Sequence, residues 1–91
     1  MIVTVEEAKE FLRIDHDSDD ALLETVIEAA TQTCVDVARM EDETAFAGLD
    51  SAKLSVLYAT AYMYEHRESA DYHALALSLR AILSAAREGV F

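Results

Sequence analysis

Proline is absent from the 91 residues and glycine occurs only twice, so almost nothing in the chain withholds a backbone donor or loosens a helix from within. With 53% apolar residues and alanine among the commonest types, this is the composition of an all-α fold, a small helical bundle. The single cysteine, Cys34, excludes an internal disulfide. Its place on the apolar stripe of a helix reads as a buried, reduced thiol rather than a reactive one. Long apolar runs are missing too, and nothing approaches the roughly 20 residues that span a bilayer. The opening MIVTVEEAKE has no basic segment followed by an apolar one, so neither a signal peptide nor a membrane role is expected. One domain over 1–91 is expected, burying about 60 to 65% of the unfolded chain's surface, which allows a small core but not a large pocket.

Bases are the other scarcity. Seven Lys and Arg stand against 18 Asp and Glu, giving a net charge of −11. All of the excess lies in the first half, where residues 1–50 hold 14 acids and 3 bases while residues 51–91 hold four of each. A duplex phosphate backbone is repelled by such a half, which argues against tight DNA binding through a basic footprint. The readings that stay open are a solvated face that aids solubility, an acidic wall that DNA passes without sticking, or the docking face of a basic partner. Asp15, Asp17, Asp19 and Asp20 are the densest part of this acidic surface.

What is present is helical periodicity. Thr4 followed by Glu7 has the spacing of a capping box, and Val5, Ala8, Phe11 and Leu12 then run as a short amphipathic helix over about 4–12. The acidic corner breaks the pattern, and a longer helix is predicted over about 18–39, with Asp17 or Ser18 as its cap and Asp19 and Asp20 complementing the dipole in the first turn. Leu22, Leu23, Val26, Ile27, Ala30, Cys34, Val37 and Ala38 fall on one stripe, with Glu24, Glu28, Thr31, Gln32, Asp36 and Arg39 opposite. Residues 40–50 are acidic and contain Gly48, so they read as a connection with an extra turn around 44–47 that tucks Phe46 onto the core.

The third main helix, predicted over about 51–67, is apolar almost all the way round. Leu54, Leu57, Tyr58 and Ala61 share the side expected to face the core, and Val56, Ala59 and Met63 lie nearly opposite. So small a domain has few places to bury both sides, and the stripe of Val56, Ala59 and Met63 is expected to meet another chain. A fourth helix over about 71–88 carries the stripe Tyr72, Leu75, Ala76, Leu79, Ile82, Leu83 and Ala86 and ends at Gly89. Its smooth back, with Leu77 and Ala81, and the apolar tail Val90 and Phe91 complete the expected subunit interface.

Patterns that carry chemistry are largely missing. Asp15, Asp17 and Asp19 occupy the first, third and fifth positions of a calcium loop, but Asp20 stands where glycine is needed and Val26 where a bidentate Glu should be. His16, His66 and His73 have no metal-ligand spacing, Gly48 and Gly89 are isolated, and nothing marks a nucleophile. No metal, no cofactor and no catalysis are expected. Glu65 projects to the same side as Leu54 and Ala61, a carboxylate on what reads as a core face, so a partner is expected from Arg67, or from Arg13 or Lys9 on the first helix.

Three stretches together, TVEEAKEFLRID at 4–15, ALLETVIEAA at 21–30 and AYMYEHRE at 61–68, resemble the small head-tail connector (adaptor, or head-completion) proteins of tailed bacteriophages and prophages. The positions that carry the resemblance are Glu7, Ala8, Lys9, Leu12, Arg13, Ile14, Asp15, Asp20, Leu23, Ile27, Ala30, Tyr64, Glu65 and Arg67. It implies an all-helical structural subunit, made in the host cytoplasm, that forms a homo-oligomeric ring, dodecameric in the virion, beneath the portal protein of a filled capsid. It further implies that the ring extends the DNA channel, passes DNA without specific binding, and docks the next head-completion or tail protein. The family often has a longer segment between its second and third helices, able to form a hairpin, and here only residues 40–50 are available. The competing reading is a small acidic helical regulator or DNA mimic that binds a basic protein partner.

Overall fold

A computed structural model of the chain describes residues 2–49, 51–66 and 71–87, the last four of these by their backbone alone. Among these residues five helices follow one another: α1 (Val5–Leu12), α2 (Asp20–Ala38), α3 (Glu43–Ala47), α4 (Ala52–Glu65) and α5 (Tyr72–Arg87). No strand occurs among the described residues. The four long helices match the four main helices predicted from periodicity, and α3 is the extra turn foreseen in the connection.

Each boundary has a local cause. Thr4 Oγ1 accepts the Glu7 N–H at 3.1 Å while Glu7 Oε1 accepts the Thr4 N–H at 3.0 Å, closing the capping box that starts α1. Both α1 and α2 end in Schellman turns, with Ile14 N–H donating to the Lys9 carbonyl at 2.8 Å and Met40 N–H to the Val35 carbonyl at 3.2 Å. The left-handed position of these turns is filled by Arg13 (φ 60°) and Arg39 (φ 57°) rather than glycine. A left-handed non-glycine residue costs about 1 kcal/mol, and a guanidinium at the negative end of a helix offsets part of it. Asp42 accepts the Ala45 N–H at 2.9 Å to start α3, and this single turn seats Phe46 in the core with no exposed surface. Burying that one ring contributes about 2 to 3 kcal/mol. The cap of α2 is Asp19, whose side chain makes no capping bond, so Asp17 and Ser18 do not have the role expected of them.

The core lies between α2 and α4, with α5 packed on both and α1 across the pair. Ile27, Ala30, Cys34 and Ala38 come from α2, Ala52, Val56, Ala59 and Met63 from α4, and Leu75, Leu79 and Leu83 from α5. Small residues on both central helices let their axes approach closely. This packing reverses the expected orientation of α4. Val56 and Ala59 are fully buried and Met63 is 7% exposed, whereas Leu54 is 51% exposed and Tyr58 38%. Hydropathy does not distinguish two apolar faces; size and polar pairing do. The buried face carries Ser55, whose hydroxyl is satisfied by the Ser51 carbonyl at 2.8 Å, and the alanines that fit against α2, while the bulky Leu54 and Tyr58 are left outside. Thr31 corrects the reading of α2 in the same way, being buried with its hydroxyl donating to the Ile27 carbonyl at 2.8 Å.

Candidate functional site

Three polar contacts tie α1 to α4 and fix the corner between α1 and α2. Near the start of α1, Glu7 Oε2 accepts from Lys53 Nζ of α4 at 2.6 Å. Near its end, the Lys9 ammonium lies 2.5 Å from Asp17 and 3.0 Å from Asp20, with its side chain only 16% exposed. The Asp20 contact is an ion pair without hydrogen-bond alignment, since Oδ1 is otherwise buried and unbonded. Beyond the corner, the Tyr64 hydroxyl of α4 donates a short hydrogen bond to Asp19. The acidic corner is therefore built partly to hold α1 in place. Hydrogen bonding from Lys9 holds the Asp17 carboxyl below its usual range, and Asp17 first, then Asp20, raises Lys9. Lys53, followed by the Thr4 backbone N–H, lowers Glu7.

The charge pairing expected at Glu65 takes a different form. Glu65 is exposed at the end of α4, because the α4 face it shares with Leu54 and Ala61 is the outer one. Lys9 is taken by the acidic corner, Arg13 is exposed at the end of α1, and Arg67 lies outside the described residues. Of the four corner aspartates, Asp15 and Asp17 are exposed and Asp19 and Asp20 half-buried.

The orientation of α4 and α1 leaves large apolar groups outside. Phe11 is 47% exposed beside half-buried Leu57, and with Glu7 and Glu10 the two line an open groove of about 260 Å³. Leu54 and Tyr58, one turn apart, continue the apolar surface along the outer side of α4. On α5, Leu77 is 49% exposed and Ala81 is exposed, as their place on the smooth back of that helix predicts. Of the residues expected at a subunit interface, Leu77 and Ala81 are thus on the surface, Val56, Ala59 and Met63 are inside this chain, and Val90 and Phe91 lie outside the described residues. Periodicity puts Leu54 and Tyr58 on the side expected to face the core and Phe11 in the short amphipathic run of α1, and the structure leaves all three exposed. Their bulk beside a helix of alanines was the available signal that they belong outside.

Cys34 is buried, and burial pushes its thiol up to about 12, which keeps it protonated and unreactive. Among the described residues no three His, Cys, Asp or Glu side chains converge as a metal ion would require, and no helix is long and apolar enough to cross a membrane. What the described surface offers is contact: outward apolar groups on α1, α4 and α5, beside acidic side chains from the first half of the chain.

Comparison with curated proteins and with solved structures finds no match. The family model described as Phage gp6-like head-tail connector protein matches residues 2–87, a span that takes in all five helices. The chain belongs to this family of phage head-tail connector proteins.

Proposed function

We propose that this chain is a structural subunit of the head-tail junction that works by assembling into a homo-oligomeric ring under the portal protein. In that position the ring lengthens the DNA channel and presents a docking surface to the next head-completion or tail protein. The observation that carries the reading is the family match across residues 2–87. Support for the assembly step comes from the outward apolar groups, because a chain of this size gains little by leaving Phe11, Leu54, Tyr58 and Leu77 in water unless another surface covers them. Leu77 and Ala81 remain part of the proposed contact, and the outer side of α4 takes the place of its buried stripe.

The acidic first half suits a channel wall or rim, since carboxylates repel passing phosphates and give DNA nothing to grip. The chain would be made in the host cytoplasm and end in the virion. A regulator or DNA mimic would use the same acidic surface on a basic partner, but it gives no account of the family match. The test is where the chain sits: imaging of purified virions should find copies of it arranged in a ring between portal and tail.

A further inference from the structure

The groove lined by Phe11, Leu57, Glu7 and Glu10 and the outer face of α5 are complementary in chemistry. Two apolar side chains and two acidic ones line the groove, and Glu10 pairs with no base among the described residues. On the back of α5, Leu77 stands out from the surface and Arg80, one turn further on, is exposed and pairs with no carboxylate among the described residues. We infer that a second copy of this chain fills the groove: Leu77 of one subunit seats between Phe11 and Leu57 of the next, with its Arg80 facing Glu10. The inference rests on the ring reading and names the contact that would build it.

Charge decides the geometry. Two grooves placed face to face would oppose carboxylates to carboxylates, which disfavours a two-fold contact through this patch. A contact between two different patches is head-to-tail, and each added subunit leaves one free groove and one free α5 face, so assembly continues until the rotation closes it.

The test uses two variants with substitutions at exposed positions, Phe11→Asp to spoil the groove and Leu77→Asp to spoil the knob, checked for helical content and studied by sedimentation. The unaltered chain should associate as its concentration rises, and each variant alone should stay monomeric. Mixed, the two should give a one-to-one heterodimer and nothing larger, because only one contact remains intact. Glu10→Arg and Arg80→Glu should each weaken association about tenfold or more and should restore it when combined in one chain. The inference is overturned if the mixed variants stay monomeric, if either variant assembles like the unaltered chain, or if the unaltered chain is monomeric up to about 1 mM. Assembly indifferent to these changes overturns the contact and leaves the connector reading standing, whereas absence of the chain from virions overturns that reading itself.

Discussion

Thr60 is 1% exposed on the core side of α4, and its hydroxyl finds no partner among the described residues, unlike that of Ser55 earlier in the same helix. A buried hydroxyl without a partner keeps the cost of leaving water and gains nothing in exchange. Replacing it with an isosteric methyl should therefore help: Thr60→Val is expected to raise stability by about 1 kcal/mol, seen as a Tm higher by roughly 4 to 8 °C. An unchanged or lower Tm would show that the hydroxyl is satisfied. Met63 makes the opposite point. As an outward residue it would accept Asp at little cost to the fold, but it sits in the core at 7% exposure. Met63→Asp should destabilise the isolated chain by about 3 kcal/mol or more, measured by urea unfolding, because the carboxylate would be buried without a partner. A variant as stable as the parent would put Met63 back on the surface.

Among the elements, α1 depends most on charge, since only Ala8 of its eight residues is fully buried. Its hold on α4 and on the corner runs through Glu7 with Lys53 and Lys9 with Asp17 and Asp20. Glu7 and Asp17 titrate below their usual values in the folded chain, so their contribution is full above about pH 5 and is lost as pH falls through those lowered values. Lys9 is raised, so its contribution is full below the usual lysine value of about 10.4 and disappears only as pH climbs through the raised one. Hydrogen-exchange protection of α1 should thus fall relative to that of α2 by about pH 3 and hold at about pH 9, and high salt should weaken it, since these groups are near the surface. Equal loss of protection in α1 and α2 on acidification would contradict the brace. The same elements show what the sequence made legible. Capping chemistry and the 3.6-residue period are local, so α1, α2, α5 and the turn holding Phe46 could be read directly. The orientation of α4 could not, because Leu54 with Tyr58 and Val56 with Ala59 are equally apolar and only the fit against Ala30, Cys34 and Ala38 of α2 selects between them. The role of Lys9 was hidden for a related reason: its choice of Asp17 and Asp20 over Glu65 depends on how the corner folds back, which no spacing encodes.

For the whole molecule, the core uses the apolar face of every long helix and still leaves Phe11, Leu54, Tyr58 and Leu77 outside. On the proposed reading these groups, and the −11 charge whose excess lies in the first half, serve contact with neighbours. The family places the chain in phage assembly, and the exposed faces of α1, α4 and α5 are where neighbours would meet. The most direct measurement is single-particle electron microscopy of purified virions of a phage that encodes this chain, with the five helices fitted into the density at the neck. The account predicts a closed ring of copies between portal and tail, with the outer sides of α4 and α5 at subunit boundaries. Virions that lack the chain, or that hold it anywhere other than the head-tail junction, would contradict it.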